Sequence, residues 1–572
     1  ILIEEYERIV PLEYYYFTKE TGLMPYDRFA KYLHAFNKSR PKEPEKLPVS
    51  SHLDLIRKIT PNYLPILYFV FSRRQCTEKA HELAENNNYL TQEQRAVVEK
   101  RFHERFGSED SWSASTRMLR RTTARGISYH HAGLLPAQKG IVEELFQERF
   151  IQVLYCTETF SVGINYPVKS VCFDSVRKFD GRTFRTLENH EFFQISGRAG
   201  RRGIDEKGYS FILVDLKYAG RERLPQFNLN RLEPLISQFK LSYNTVLNLT
   251  ANLTTEQIAI YFQKSFSAFH HYQALTALQT SLKETEEQLS GIRQYSCQYM
   301  DTHRCLIKFE PKQQELERLR QTFQALTPQR KRRVYGREMA RKIKRLEGKL
   351  QHTPQTCTPA QLQECQALSH SYHQLEQTQR DLTHDLAELP APRAFLEEYT
   401  YRLEHLQQLG YFRDGVLLPR GKCAAKIYVQ EIFVTELIFS DIFPQLNDDQ
   451  LNALISSIDY ETRKYDYFLR ATLLNWEPVR EIAKYVQRIC EPSAVRFEPR
   501  AAILTYAWSR GDSLEQVQQM CNLDEGDIIS IFRRTIDLLR QMRDAVVDPA
   551  FKARLWTCMN KLDRAEASIM DL

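Results

Sequence analysis

No stretch of the 572 residues approaches the ~18 consecutive apolar positions of a membrane-spanning helix, and the opening ILIEEYERIV lacks the basic-then-apolar form of a signal peptide. A soluble, intracellular protein is expected, cytoplasmic or, in a eukaryote, nuclear, with no membrane partner. Cysteine is sparse: 11 residues, an odd number, are scattered over the whole chain. That excludes a short, cysteine-dense disulfide scaffold, and reduced thiols are expected. Excess charge of one sign is missing too. Lys and Arg number 79 against 72 Asp and Glu, and a net charge of +7 is too small for this length to mark a polyanion partner by bulk electrostatics. Any nucleic-acid surface has to be local. Finally, no GxxxxGK precedes a Ser or Thr, so there is no phosphate-cradling loop of that kind. The GK pairs at 348–349 and 421–422 lack the upstream glycine and are followed by Leu350 and Cys423.

What is present is ordinary globular composition, 42% apolar and 26% charged, enough for about four folding units. Residues 66–73, ILYFVFSR, form a continuous apolar run, as expected of a strand buried on both faces of a parallel sheet. QVLYC at 152–156, SVCFD at 170–174 and YSFILVD at 209–215 repeat the type, with helical patterns such as 137–148 between them. The alternation predicts an α/β domain over about 51–218. The Pro- and Lys-rich stretch 36–49, FNKSRPKEPEKLPV, reads as a linker, which leaves residues 1–35 to whatever precedes it. Because the chain opens at Ile1, inside a strand-like run, it reads as part of something longer.

From about residue 232 helical patterns dominate. Leu275, Leu278, Leu282, Leu289 and Ile292 follow a 3-4 spacing broken at Thr285; Leu368, Tyr372, Leu375, Leu382, Leu386 and Leu389 do the same with a break at Gln379. Two long helices and an antiparallel coiled hairpin are expected. Between them residues 330–349 carry ten basic and two acidic side chains, either a solvated face or a phosphate-binding one. Cys297, His303, Cys305, Cys357 and Cys365 lie on or near the hairpin, but their spacings match no zinc pattern, and no metal site is expected. His130 and His131 are adjacent and point to different sides of a strand or turn, so a structural role at a strand end is the better reading. Residues 430–572 carry amphipathic helices and suggest a terminal bundle.

Five segments occur in a telling order: VFSRRQC at 70–76, HHAGL at 130–134, TETFSVGINYP at 157–167, SVRKFDG at 175–181 and QISGRAGRRGIDEKG at 194–208. The last packs three arginines among four glycines before a strand; Arg forks match phosphate geometry, and glycines let backbone approach a ligand. Together the five resemble the second RecA-like lobe of superfamily 2 DExH-box RNA helicases of the superkiller, exosome-associated type. SQFKLSYNTVLNL at 237–249, GKCAAKI at 421–427, TELIFSDIF at 435–443 and GDIISIFRRTIDLLRQM at 526–542 extend the resemblance to that family's winged helix and terminal helical domain. The fold it implies is an α/β RecA-like lobe followed by a mostly α region.

The implied domains are 1–50 as the end of a first lobe and linker, 51–231 as the second lobe, 232–274 and 395–428 as a split winged helix, 275–394 as an arch-like coiled insertion, and 429–572 as a helical bundle. By resemblance, Arg198 and Arg201 reach the triphosphate as arginine fingers, Gln194 sits beside the γ-phosphate and attacking water, and Gly163 and Asn165 face nucleotide and couple the lobes. Arg202 is expected in a structural ion pair. Ser72, Thr157 and Thr159 match hydroxyl donors to single-strand phosphates, which fix a strand without reading bases. Arg534 and Asp537, three apart on a helix whose apolar side is Ile528, Ile531, Ile536 and Leu539, match the pair on the family's ratchet helix. The family's acidic DExH box is absent, since DEGD at 524–527 lies in the helical tail. ATP and Mg2+ would therefore bind mainly through a missing first lobe, and this chain alone would be inactive. The expected partner is single-stranded RNA, with DNA as the alternative, translocated 3′ to 5′, together with RNA-decay complex proteins. A DNA repair helicase of the related archaeal type and a non-catalytic RNA- or protein-binding scaffold are the rival readings.

Overall fold

The computed structural model describes residues 8–38, 49–161, 166–179, 183–216, 225–228, 233, 235, 237–294, 306–326, 334–350, 359–389, 394–492 and 495–568. Two compact units result, one from Ile1–Leu235, Ser242–Ala251 and Arg402–Leu572, the other from Ile236–Leu241 and Asn252–Tyr401.

The first unit is built on a sheet of seven strands: β1 Leu12–Thr18, β2 Gly22–Met24, β3 Ile66–Phe69, β4 Ile127–His130, β5 Val153–Cys156, β6 Ser170–Phe173 and β9 Gly208–Leu213, in the order β2-β1-β9-β6-β3-β5-β4. Every neighbouring pair is parallel except β1 with β2. All four residues of β3 are buried, which is why its sequence is apolar throughout instead of alternating. An antiparallel ribbon, β7 Arg177–Phe179 with β8 Phe184–Thr186, stands apart from the sheet.

Strand β1 departs from the sequence expectation. Residues 1–50 were expected to end a preceding lobe, yet β1 pairs with β9 over six positions, from Leu12 opposite Gly208 to Phe17 opposite Leu213. Tyr16 and Phe17 are buried, and Tyr16 stacks on Phe29 at 5.5 Å. An apolar strand beside β9 covers what would otherwise be an exposed edge.

Two distant segments meet in the same unit. The helix Tyr243–Asn252 abuts the turn after the helix Pro419–Ala424, where the Asn244 amide donates to the carbonyls of Ala424, Ala425 and Ile427 at 3.2, 3.0 and 2.8 Å. Its backbone N–H donates to Glu431 Oε1 at 2.7 Å. The terminal bundle is centred on Trp508, which is fully buried, stacks on Phe532 at 4.9 Å and donates to the Leu562 carbonyl at 2.9 Å.

The second unit is helical among its described residues. The helices Phe266–Gln294 and Pro359–Glu388 pack together, as do Leu306–Ala325 and Val334–Leu350. The break at Thr285 is buried, and its hydroxyl donates to the Ser281 carbonyl at 2.7 Å, so a polar residue fits the apolar stripe. In the basic stretch Lys342 is paired with Glu315 at 2.8 Å, and Glu347 of the same stretch is taken by Arg320 at 2.6 Å. Residues 330–333 and Cys297, His303, Cys305 and Cys357 lie outside the described residues. Among the described residues no helix is long and apolar enough to cross a membrane.

Candidate nucleic-acid interface

Two clefts open on the first unit, and they share a wall. The smaller, of about 460 Å³, is lined by Thr157, Thr159, Lys178, Phe179 and Arg185, and also by Arg73 and Ala132. The larger, of about 910 Å³, runs from the same Arg73 and Ala132 to Arg534 and Asp537 on the helix Glu525–Ala545. Of the five residues assigned to nucleic acid by sequence, four therefore line one or other of these two clefts. The fifth, Ser72, precedes Arg73, which lines both.

Ser72 is the N-cap of the helix Arg73–Asn86 and accepts from the Gln75 N–H at 3.4 Å. Capping uses an oxygen lone pair, so the hydroxyl proton is still there to donate. The Thr157 and Thr159 hydroxyls lie 3.0 Å apart on the turn after β5. Beside them Lys178 is gripped by Glu158 at 2.8 Å and by Glu191 at 2.6 Å, and Arg185 holds Glu191 through two bonds of 2.7 Å. Burial alone would raise the Glu191 carboxyl; the bonds from Arg185 and Lys178 overcome it and pull it down to about 2. The ribbon β7–β8 is thereby tied to the helix Asn189–Ser196, and it presents Phe179 and Phe184, 55% and 66% exposed, with ring centroids 5.3 Å apart.

Arg534 and Asp537 do not pair with each other, although their three-residue spacing makes them neighbours on the helix. Arg534 Nε reaches Asp459 on a neighbouring helix at 3.4 Å, while Asp537 accepts from Gln541 at 2.7 Å and faces Arg540 at 3.5 Å. Packing of the bundle brings Asp459 within reach, and the three-residue spacing alone could not reveal it. The expected apolar side is present: Ile528, Ile531, Ile536 and Leu539 are all buried.

The same helix is joined to the lobe at its first turn, which sequence reasoning missed. Gly526 N–H donates to the Gly133 carbonyl at 3.0 Å, and a Cβ on Gly526 would stand 2.6 Å from the Leu134 oxygen and 2.8 Å from that of Ala132. A side chain on Gly133 would collide with the Asp524 carboxylate. Glu525, 5% exposed, accepts from Ser115 at 2.5 Å, and Gln138 donates to Ser115 and Thr116 at 2.7 and 3.0 Å. Burial pushes the Glu525 carboxyl up. Arg73 and Arg463 both bind Asp527, at 2.7 and 3.0 Å; burial opposes ionisation there, and the two arginines still hold the carboxyl below its ordinary value. The signal was available: a Gly amid acidic residues at a helix start, and an Arg directly after Ser72.

Three of the expected nucleotide-facing residues, Gln194, Arg198 and Arg201, lie on one helix and the loop that follows. Gln194 is exposed on Asn189–Ser196. Arg201 is held by Asp205 through Nε and Nη2 at 2.6 and 2.7 Å, an arrangement that leaves its Nη1 without a partner among the described contacts. Their hydrogen bonds raise the guanidinium and lower the carboxyl. Arg202 was expected to be the structural ion pair; it is exposed, and its neighbour Arg201 has that contact. Two of the loop's glycines serve packing. Gly200 has φ +88°, and a Cβ on Gly208 would lie 2.5 Å from the Ala199 oxygen. Arg8 closes the loop by donating to the carbonyls of Gly197 and Ala199 at 2.8 and 2.5 Å. Gly163 and Asn165 lie outside the described residues.

The adjacent histidines are structural here. His130 bonds Glu143 at 2.9 Å, and His131 contacts Thr77 at 3.0 Å while accepting from Gly133 N–H at 3.1 Å.

Residues 414–566 match the DSHCT (NUC185) domain family. The chain is similar to curated proteins that carry the names of exosome, superkiller-complex and DExH-box RNA helicases. It is 38% identical to the human exosome RNA helicase MTR4 over 239 residues, 40% of this chain and 22% of that protein. Mouse superkiller complex protein 2 is 34% identical over 247 residues, 41% of this chain and 20% of that protein. The ATP-dependent RNA helicase mtr4 of Schizosaccharomyces pombe is 26% identical over 637 residues, 85% of this chain and 57% of the relative. The chain thus spans about a fifth of the first two relatives' length and somewhat over half of the third's.

Proposed function

We propose that this chain is the strand-gripping part of an ATP-dependent RNA helicase acting on single-stranded RNA in RNA processing or decay, translocating 3′ to 5′. The observation that carries the reading is a pair of clefts that meet at Arg73 and Ala132, one lined by Thr157 and Thr159 and the other by Arg534 and Asp537. Hydroxyls and arginines along adjoining grooves suit a sugar-phosphate backbone. The names of the similar proteins, exosome RNA helicase and superkiller complex protein, support RNA as the substrate and RNA-decay assemblies as partners.

ATP with Mg2+ would be held mainly by a lobe carrying the phosphate loop, with Arg198, Arg201 and Gln194 completing the site from this side. The free edge of Arg201, aimed by Asp205, fits a phosphoryl group whose charge must be stabilised as it transfers. Nucleotide bound there would supply the drive for lobe closure, and Arg198, Arg201 and Gln194 would contact it from this side. Without that lobe the chain should bind single strands and not turn over ATP.

The test has two arms. In binding assays on the chain itself, Arg534→Ala and Thr159→Ala should each weaken single-stranded RNA by roughly tenfold, with DNA of the same sequence measured alongside. In the protein carrying both lobes, Arg201→Ala should lower RNA-stimulated turnover ~10³-fold while nucleotide still binds. Unchanged RNA affinity in the first arm, or turnover within threefold of the parent in the second, would sink the reading.

A further inference from the structure

Beyond the larger cleft the chain continues into a strip that no assigned role covers. Tyr460 to Arg463 line the cleft wall, and the backbone then leaves it through Lys464 to Arg470. Tyr465, Tyr467 and Leu469 are 78%, 60% and 48% exposed, while Phe468 between them is 5% exposed and meets Tyr460 edge-on at 5.5 Å. From Tyr467 to Leu469 this is the alternation of an extended strand, which puts those two side chains on one face at a spacing of ~6.6 Å.

The strip is anchored along its length. Leu469 N–H donates to the Met520 carbonyl at 2.7 Å, Tyr467 N–H to Asn522 Oδ1 at 2.8 Å, and the Asn522 amide to the Tyr465 carbonyl at 2.8 Å. Large aromatic rings left in water on a backbone held this firmly need an explanation that a loose loop would not. Their electrostatic setting is cationic. Lys464 and Arg470 flank the rings, and Lys464 lies over Tyr465 at 5.4 Å, while Arg463 is held by Asp527 at 3.0 Å. The carboxylate within the strip, Asp466, is engaged by the Tyr460 hydroxyl at 2.5 Å and the Arg463 N–H at 2.7 Å. Of the nearby carboxylates, Glu461 is paired with Arg496, and Glu498 with Arg500 at 2.7 Å.

We propose that residues 464–470 form a stacking surface for single-stranded RNA adjoining the cleft, with bases on Tyr465 and Tyr467 and phosphates against Lys464 and Arg470. The proposal rests on the reading of the cleft as a strand path. Exposed rings between cations, on a rigid strip that starts at the wall of a polar groove, match the way single strands are held without base selection. A tyrosine ring offers a flat face to any base, so the surface would lengthen the grip on the strand without adding sequence preference.

The experiment uses the chain as it is and compares strands of roughly 6 and roughly 20 nucleotides, the shorter filling only the cleft. The parent protein should bind the longer strand more tightly. Tyr465→Ala with Tyr467→Ala should erase most of that gain, about tenfold per ring, and leave the short strand unchanged. The corresponding double Phe variant should behave as the parent. Both rings are exposed, so melting temperature should not move. Arg534→Ala is the separate check on the cleft: it should weaken both strands, and no effect on either would overturn the cleft reading. The stacking surface is overturned if the double Ala variant binds both lengths like the parent, or if the double Phe variant loses the gain as well. Loss of a protein partner with RNA binding intact would overturn it too, because the strip would then be a protein-docking surface.

Discussion

Gly526→Ala should loosen the joint between the lobe and the helix Glu525–Ala545, and the structure sets the size of the effect. The glycine has no positive φ, so alanine is conformationally acceptable and would ordinarily favour a helix by up to ~1 kcal/mol. Space forbids it. The new methyl would stand 2.6 Å from one carbonyl oxygen and 2.8 Å from a second, and both belong to backbone that cannot rotate away. Relieving contacts that close requires the helix start to lift by roughly half an ångström or more, an overpacking cost of ~1–3 kcal/mol. The lift also lengthens the Gly526-to-Gly133 hydrogen bond of 3.0 Å, worth about 1 kcal/mol. Net destabilisation of ~1–3 kcal/mol follows. Gly291→Ala is the control, because nothing lies within 4 Å of its Cβ position on the helix Phe266–Gln294; it should stabilise by up to ~1 kcal/mol. Thermal melting gives the opposite signs. Hydrogen exchange over residues 131–136 and 524–530 locates the first effect, which matters where two units can unfold separately. If Gly526→Ala stabilised as Gly291→Ala does, or exchange at the joint stayed at parental rates, the steric reasoning would be wrong.

Stability should also fall with acid in a defined window. His52 and His131, 2% and 5% exposed, have imidazoles pushed from 6.5 down to about 4, by burial first and then by Lys79 beside His52 and Arg73 beside His131. The unfolded chain binds the protons the folded one refuses, so stability is complete above pH 6.5 and drops towards pH 4, by up to ~3 kcal/mol per histidine. Glu191 and Glu498, each held down to about 2, contribute in full above pH 4.5 and lose that contribution as pH falls from there towards 2. Urea titrations at half-unit steps would refute this by giving constant stability from pH 7 to 4.5. Separately, Asn244→Ala removes two N–H donors shared among three carbonyls in a buried corner, of which Ala425 keeps a bond from Asn248, and should cost about 2 kcal/mol by chemical denaturation. Asn244→Asp should be worse, since it sets an acceptor against acceptors. A cost under about 0.5 kcal/mol for the alanine variant would show that water replaces the amide.

How far the sequence could be read depended on whether a signal was local. Strands β3, β5, β6 and β9 were legible because burial on both faces writes itself into a continuous apolar run. Strand β1 has the same character, but its partner lies about 190 residues away, and the Pro- and Lys-rich stretch after it looked like a domain boundary. Nothing within a window joins Leu12 to Gly208. The apolar side of the helix bearing Arg534 was legible by period, whereas the polar partners of Arg534 and Asp537 were not, because Asp459 and Gln541 compete on geometry that only packing decides. In the arginine–glycine loop the residue types were informative and their roles only partly so. Asp205 claims Arg201, and Gly200 and Gly208 make room for neighbouring backbone. The lobe-to-helix joint at Gly133 and Gly526 had a signal in small residues, but short-range patterns cannot say which two glycines will face each other.

The corner around Asn244 has a bearing on how the protein is made. Its carbonyl partners emerge 180 to 183 residues after it, which at a synthesis rate of ~5–20 residues per second means a wait of about 10–40 s. Throughout that interval Val246 and Leu247, both fully buried in the finished molecule, have no place to pack. The coiled helices of the second unit are local structures and can form during the delay. The nascent chain therefore completes its insertion before it can close the domain that the insertion interrupts, and the first half of that domain is a natural client for a chaperone. Any shorter piece prepared for expression has to keep both halves: one that stops inside the insertion ends with an apolar helix whose partners are never synthesised.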